Sequence, residues 1–152
     1  MSKNSPIFVT GGTGLLGSYL LRYLVKEGYS NIRALKRTSS RMNLVESVQD
    51  KIEWIGGDVL DLFAIEDALR GASQVYHCAA VVSHKPKRYK EMMEVNKEGT
   101  ANLVNACLNK GIDKLVHVSS IAAIGRRKKL KTINEETKWE RSTWNSQYAI
   151  SK

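Results

Sequence analysis

The chain has 152 residues, enough for one domain with a sizeable hydrophobic core. Its apolar fraction of 42% and charged fraction of 26% are typical of a soluble globular protein, and no apolar run approaches the roughly 18 residues of a membrane span, which excludes a membrane-spanning protein. The net charge of +9 is compatible with an anionic partner, such as a cofactor, a nucleic acid or an acidic membrane surface.

Much of the positive charge is concentrated in segments 85–90 and 126–131, which both fall in predicted loops. Solvated loops are the simpler explanation, and single-stranded nucleic-acid binding would also need exposed aromatic platforms, so we expect no nucleic-acid or membrane partner. No apolar stretch of signal-peptide type precedes the first strand. Cys78 and Cys107 lie in apolar runs, which favours buried thiols over a disulfide. We therefore expect a cytoplasmic protein.

Short apolar runs, which are typical of strands, alternate along the chain with segments whose apolar residues have the spacing of a helix. Gly28 and Gly111 are predicted to end helices, and Asp61 is predicted to cap one. Segment 121–145 is predicted to be a loop. In chain order, strands are predicted at 6–9, 32–35, 51–56, 74–80 and 114–119, and helices at 15–26, 41–48, 62–69, 89–110 and 146–152.

This alternation predicts an α/β fold, a doubly wound parallel sheet with helices on both faces. Right-handed crossovers give the strand order 3-2-1-4-5 of a Rossmann fold, with residues 1–152 as one dinucleotide-binding domain. The last predicted helix is cut at Lys152, whereas such folds continue with further strands. We expect the chain to be the N-terminal part of a longer protein, ending before the later strands and the substrate-binding part.

The stretch from Thr10 to Gly17 joins the first strand to the first helix with three glycines at a spacing of three. In such a turn Gly11 permits the tight bend, Gly14 allows the backbone to approach phosphates, and Gly17 allows close packing of the helix. The helix N-terminus presents free amides and a positive dipole end to an anion. The stretch is therefore predicted to bind a dinucleotide pyrophosphate, with Thr13, Leu15 and Leu16 in the same site.

With Thr10 in front, this G-x-x-G-x-x-G spacing resembles that of the extended short-chain dehydrogenase/reductase family, which includes NAD(P)-dependent epimerases and dehydratases. Two further segments strengthen the resemblance. Gly57-Asp58-Val59 is similar to the family's adenine-contacting segment, which implies a hydrogen bond from the adenine amine to Asp58 and packing of Val59 on the ring. His77-Cys78-Ala79-Ala80 matches its His-x-Ala-Ala pattern, in which the small Ala79 and Ala80 leave space for the dinucleotide.

The end of the second strand indicates which dinucleotide is bound. NAD sites place a carboxylate there for the ribose 2′-hydroxyl, but this chain has Leu35-Lys36-Arg37 followed by hydroxyl residues. Two cations and hydroxyl donors suit a 2′-phosphate. NADP(H) is therefore favoured, with Arg37 at the phosphate, although NAD stays possible and Arg37 could be a solvated turn residue.

Tyr148 and Lys152 lie four residues apart on the last predicted helix, and therefore on one face. A free phenol loses its proton only near pH 10, and a nearby ammonium favours the phenolate. Ser119-Ser120 at the end of the fifth strand is similar to the family's serine element, whose second serine joins the catalytic triad. The resemblance thus implies Ser120, Tyr148 and Lys152 as catalytic residues, with Tyr148 and Lys152 also contacting the cofactor.

His77 is predicted to be a packed core histidine, and His84 and His117 have no neighbours at metal-ligand spacing, so no metal is assigned. The resemblance implies an NADP(H)-dependent oxidoreductase that reduces a ketone or aldehyde, or oxidises the alcohol, with Tyr148 as acid or base. The pattern is most similar to the dihydroflavonol-reductase-like branch. Ile121 and Ala122 replace the acidic residues of dehydratases, which disfavours dehydration.

Three alternatives stay open beside the reductase. One is a sugar-nucleotide epimerase that uses NAD(P), another is a dinucleotide-binding fragment without turnover, and the third is nucleic-acid binding through the basic segments. The 152-residue chain itself is expected to be inactive, because family members build the substrate pocket largely from later segments. Association into a homo-oligomer is possible because a sheet edge would be uncovered.

Overall fold

The computed structural model describes residues 3–124 and 132–152, so the whole of the second basic segment, 126–131, lies outside the described residues. The chain divides into two compact units. The first comprises Met1–Ala79 and Gly99–Val118, and the second comprises Ala80–Glu98 and Ser119–Lys152. Each unit is described by itself.

The first unit contains a five-stranded parallel sheet with the order β3-β2-β1-β4-β5, which confirms the predicted Rossmann topology. All five strands begin within two residues of their predicted first residues. β4 and β5 end earlier than predicted, at the last residues that are in register with a neighbouring strand. The strands are β1 Ile7–Thr10, β2 Ile32–Lys36, β3 Glu53–Gly56, β4 Gln74–His77 and β5 Lys114–His117.

Three helices belong to this unit: α1 Leu15–Lys26, α2 Leu62–Ala68 and α4 Gly99–Lys110. β1 is buried on both faces, as expected for the central strand of a parallel sheet. Ile7 and Val9 join the apolar cluster that also contains Leu21 and Leu24 of α1. Phe8 points to the opposite face because successive side chains of a strand alternate.

The second unit is built mainly from short helical segments. A 3-10 turn at Pro86–Arg88 leads into α3 at Tyr89–Met92 and a π-helix at Met93–Glu98, and another 3-10 turn covers Ile121–Ile124. The last element is α5, Gln147–Ser151. The described part of the predicted loop at 121–145 therefore contains a helical turn at Ile121–Ile124, and the first basic segment is largely helical instead of an open loop.

Two predicted helices differ from the structure. The helix predicted at 41–48 is wrong: the segment forms turns, with a 3-10 turn at Gln49–Lys51. The amides of Val45 and Val48 bond to carbonyls three residues back, which suffices to bury two β-branched side chains that gain little from a helix. The single long helix predicted at 89–110 is α3, the π-helix and α4 in succession.

Candidate functional site

The glycine turn after β1 is formed as the sequence predicts. Gly11 has φ +69°, and a Cβ there would lie 2.6 Å from the Ala79 nitrogen, so both its conformation and its surroundings require glycine. A Cβ on Gly17 would lie 2.2 Å from the Gly11 carbonyl oxygen. Gly14 is exposed, and a Cβ there would meet only that oxygen, at 3.3 Å. The first and third glycines therefore close the turn, whereas the second leaves its outer face open.

α1 begins in this turn with Gly14 as its N-cap and no side-chain cap. Within the described residues, no protein acceptor receives the amide N–H of Leu15, Leu16 or Gly17. Free amides and the positive end of a twelve-residue helix together favour an anion. Thr13 is half-buried beside them. The glycine turn and the first turn of α1 thus fit a diphosphate, and a side chain at the glycine positions would occupy part of that space.

A cleft of about 440 Å³ lies in the same unit, where β2 and β3 end. In the described part of the chain, no side chain binds the Arg37 guanidinium, and only the backbone of this residue is tied down, to Ser40. The Asp58 carboxylate accepts the Leu60 amide at 2.7 Å. The residues that line the cleft are Arg37, Thr38, Gly57, Asp58, Leu60 and Asp61.

Val59 is buried and is not among the residues that line the cleft, unlike Gly57 and Asp58. Its side chain is 4% exposed and packs against Gly99, where a Cβ would lie 2.4 Å from Val59 Cγ2. The apolar wall of the cleft is therefore supplied by Leu60. Sequence reasoning missed Leu60, although an apolar residue two positions after Asp58 was a signal that could have found it.

The carboxyl end of β4 lies next to β1 in register, with Thr10 opposite His77. Ala79 is half-buried, and its backbone touches the Gly11 position. Ala80 begins the second unit and is exposed. His77 is 1% exposed, which confirms it as a packed core histidine.

The three predicted catalytic residues all lie in the second unit. Tyr148 and Lys152 occupy successive turns at the end of α5, joined by a hydrogen bond from the Lys152 amide to the Tyr148 carbonyl. Burial lowers the pKa of the Lys152 ammonium. Ser120 precedes the 3-10 turn Ile121–Ile124, against which α5 packs, and its hydroxyl oxygen accepts the Ala122 amide at 3.2 Å.

Asn96 is a buried polar residue of this unit that sequence reasoning missed. It lies in the π-helix, 4% exposed, and its side chain pairs with both backbone groups of Val81, at 2.7 and 2.9 Å. Its amide also donates to the Ser151 hydroxyl at 2.9 Å, and that hydroxyl donates to the Tyr148 carbonyl. Asn96 thus holds the start of the loop after β4 and the helix that bears Tyr148.

The two thiols are free: Cys78 is half-buried, and burial raises the pKa of the buried Cys107 to about 11. Over residues 3–124 and 132–152, no group of three or more His, Cys, Asp and Glu side chains could hold a metal ion. Among the helices of the same residues, none has the length and apolar character needed to cross a membrane.

Several known proteins are similar to this chain. A Synechocystis sp. protein named "Putative dihydroflavonol 4-reductase" is 37% identical over 118 residues, which are 78% of this chain and 33% of the relative. The crystal structure of gox2253 superposes with a TM-score of 0.82 at 32% identity, covering 97% of this chain and 44% of that one. A short-chain dehydrogenase/reductase superfamily protein from Agrobacterium tumefaciens, solved with bound NAD, gives a TM-score of 0.76 at 28% identity, covering 95% and 41%.

The chain therefore spans about a third of the length of that curated relative and under half of the two solved chains. The family model described as "NAD dependent epimerase/dehydratase family" matches residues 7–152, from β1 to the last residue of the chain. That match covers the glycine turn, the cleft and the Ser120, Tyr148 and Lys152 positions together. The chain belongs to the NAD dependent epimerase/dehydratase family.

Proposed function

We propose that this chain is the dinucleotide-binding part of an NADP(H)-dependent oxidoreductase that reduces a ketone or aldehyde. The observation that carries the proposal is the glycine turn, whose open face and three free amides fit a diphosphate. The relative named as a dihydroflavonol 4-reductase supports reduction of a carbonyl group. Because the chain spans only part of its relatives, the activity belongs to the whole protein.

The residues that would hold the dinucleotide are those of the turn and the first helical turn. The amides of Leu15, Leu16 and Gly17 would donate to the diphosphate, and Gly11 and Gly14 would allow the backbone to come close. When bound, the nicotinamide supplies or accepts a hydride. Ala79, with its small side chain beside Gly11, would leave room along the dinucleotide.

The cleft after β2 and β3 would take the adenosine end and its 2′-phosphate. Arg37 and Thr38 are the cation and hydroxyl donor on its wall, Leu60 would pack on the adenine, and Asp58 would accept from the adenine amine. Val59 would contribute through its backbone and its small exposed edge, because the rest of its side chain is covered. A guanidinium forms paired hydrogen bonds with phosphate, which favours NADP(H) over NAD(H).

Tyr148, Lys152 and Ser120 would carry out the proton transfer. The Tyr148 hydroxyl would give a proton to the carbonyl oxygen during reduction, and the Ser120 hydroxyl would hold that oxygen in place. A protonated Lys152 on the same helical face would favour the phenolate that this transfer leaves, and would contact the nicotinamide ribose, as the family resemblance implies.

An epimerase is the second candidate, since the family takes its name from epimerases and dehydratases. Arg37 on the cleft wall argues against an enzyme that retains NAD, because NAD has no 2′-phosphate for the guanidinium to bind. A dehydratase is less favoured, because Ile121 and Ala122 stand where family dehydratases carry acidic residues. A dinucleotide-binding fragment without turnover is the third candidate for this chain taken alone.

Arg37→Asp tests the cofactor assignment by calorimetric titration with NADPH and NADH. Loss of the ion pair should cost roughly 1.5–3 kcal/mol, or about 10- to 150-fold in NADPH affinity. NADH affinity should change far less. The matched control is Arg41→Asp, which makes the same charge change at an exposed residue that does not line the cleft. Equal losses for both dinucleotides would refute the role of Arg37.

Turnover is tested separately, in the protein encoded by the complete reading frame. Tyr148→Phe should abolish NADPH-dependent reduction of carbonyl compounds and change NADPH affinity far less, because the phenol supplies the proton while the phosphate contacts supply most of the binding. Interconversion of sugar nucleotides without net NADPH consumption would favour the epimerase. We expect the 152-residue chain to bind dinucleotide without turnover, and measurable turnover by it would contradict that expectation.

A further inference from the structure

A row of hydrogen-bonding side chains crosses the first unit where β1, β4 and β5 end. The strand register places Thr10, His77 and His117 side by side, and neighbours in register share one face of a sheet. The Thr10 hydroxyl lies 2.6 Å from His77 Nδ1, and Thr100 of α4 lies 2.9 Å from His77 Nε2. Thr10 has no exposed surface and His77 has almost none.

The positions of the protons in this row follow from a second contact of the Thr10 hydroxyl. The Ala79 amide lies 3.3 Å from the Thr10 hydroxyl oxygen, and an amide N–H can only donate. The Thr10 oxygen is therefore an acceptor for Ala79. Its own buried proton needs an acceptor as well, and the acceptor that the described residues offer within hydrogen-bond distance is His77 Nδ1. Nδ1 then has to accept, so the imidazole is neutral and its proton lies on Nε2, where it donates to Thr100.

We propose that His77 is a positioning residue of the dinucleotide site, held as the neutral Nε2–H tautomer so that Thr10 binds the Ala79 amide. The inference rests on the proposed binding of a dinucleotide at the glycine turn. His77 does not contact the dinucleotide itself. It acts through Thr10, the residue that immediately precedes Gly11.

The contact that is held in place is the close approach of Gly11 to the backbone that follows β4. A Cβ on Gly11 would lie within 2.8 Å of three backbone atoms of Cys78 and Ala79, so the turn fits only while the Ala79 backbone stays where it is. The Thr10 hydroxyl fixes that backbone from the β1 side. In a sheet of this topology ligands bind outside the carboxyl ends of the strands where the order reverses, which is between β1 and β4.

A proton added to His77 would remove this arrangement. Nδ1–H cannot accept the Thr10 proton, so the buried hydroxyl would lose the acceptor of its own proton, and the Ala79 amide would share the Thr10 oxygen with Nδ1–H. Among the described residues, His117 of β5 faces the His77 ring with ring centroids 5.1 Å apart, and a charge on His117 would disfavour one on His77. Thr10 of β1 and Thr100 of α4 face the ring with neutral hydroxyls.

The tautomer is measured directly in a long-range ¹H–¹⁵N correlation spectrum of the wild-type chain at pH 7.5. We expect His77 to show a protonated Nε2 and an unprotonated Nδ1, with the exposed His84 as the internal reference for a solvent-accessible ring. A His77 with its proton on Nδ1, or on both nitrogens, would overturn the inference.

The positioning role is measured by titrating variants with NADPH and recording their thermal unfolding in parallel. Thr10→Val should weaken NADPH binding by about tenfold or more, because the Ala79 amide and Nδ1 both lose their partner. Thr10→Ser keeps the hydroxyl and should restore the affinity. Thr100→Val, at the other end of the row, should weaken binding as well, which keeps the test valid if Thr10→Val does not fold.

The matched control is Ser73→Ala, which removes a half-buried hydroxyl at the opposite end of β4 and should leave NADPH affinity unchanged. Wild-type affinity in a folded Thr10→Val chain, or in Thr100→Val, would overturn the inference while leaving the proposed function intact. If the wild-type chain bound neither NADPH nor NADH, the proposed function would fail and the row would lose its role with it.

Discussion

The second and third glycines of the turn should separate folding from binding when each is changed to alanine. In Gly17→Ala, the new Cβ would lie 2.2 Å from the Gly11 carbonyl oxygen and 2.7 Å from its carbon. Both are backbone atoms, so no side chain can rotate aside and the turn itself must move. In Gly14→Ala, the only close atom is at 3.3 Å, and φ is −82°, which alanine adopts without strain.

The expected magnitudes follow from these distances. Overpacking of a tight interior costs about 1–3 kcal/mol, and an overlap with backbone this severe belongs at the upper end of that range. Gly17 lies inside α1, where alanine regains about 1 kcal/mol of helix propensity. The net loss is therefore about 2 kcal/mol, which for a chain of this size lowers Tm by about 4–8 °C. Gly14→Ala should keep the wild-type Tm to within about 2 °C.

Thermal unfolding followed by circular dichroism and calorimetric titration with NADPH together test this pair. We expect Gly14→Ala to be as stable as the wild-type chain but to bind NADPH at least tenfold more weakly, because its methyl group covers the open face of the turn. Gly17→Ala should lose both stability and affinity. A Gly17→Ala chain as stable as wild type, or a Gly14→Ala chain that binds normally, would show that the turn is not built as described.

Three further substitutions or conditions test other parts of the structure. Asp61→Ala should cost about 1 kcal/mol in thermal unfolding by removing the N-cap of α2, whereas Asp61→Asn should keep it. Burial raises the pKa of the Cys107 thiol from 9.0 to about 11, so at pH 8.5 this thiol should react with iodoacetamide about tenfold or more slowly in the folded chain than in the urea-unfolded chain. The contribution of the neutral thiol to the free energy of unfolding should decrease as the pH rises from 9 toward 11. Asn96→Ala should cost about 1–3 kcal/mol by leaving the Val81 backbone unpaired, with a smaller loss for Asn102→Ala, whose single contact is 3.3 Å long.

The elements that the sequence predicted correctly are those whose signal is local. β1 is a short apolar run bounded by Gly11, and α1 has apolar residues at helical spacing and a glycine, Gly28, at φ +82° after its end. The strand order then follows from the handedness of the crossovers, which needs no side-chain detail. The glycine turn was predictable in the same way, because a positive φ at Gly11 restricts the residue type.

The features that the sequence did not predict depend on contacts between distant residues. A helix is wrong at 41–48, because turns stabilised by local hydrogen bonds bury Val45 and Val48 equally well. The π-helix cannot be seen in the periodicity of the segment, and Asn96 is satisfied by Val81 and Ser151, which lie 15 and 55 residues away. A single sequence contains no signal for such a pairing.

The residues proposed for dinucleotide binding and those proposed for proton transfer belong to different units, so we expect the two functions to depend on different contacts. The glycine turn, Arg37 and the row around His77 lie in the unit built on the sheet, whereas Ser120 and Tyr148 lie in the other. Dinucleotide affinity should depend on backbone geometry that the sheet fixes, since the turn is held by the ends of two central strands. The proposed proton-transfer residues lie instead on a five-residue helix and beside a 3-10 turn. Helices this short are not stable by themselves, so the placement of Tyr148 depends on tertiary contacts such as those of Asn96 and Ser151, and losing those contacts should reduce turnover before it reduces dinucleotide binding.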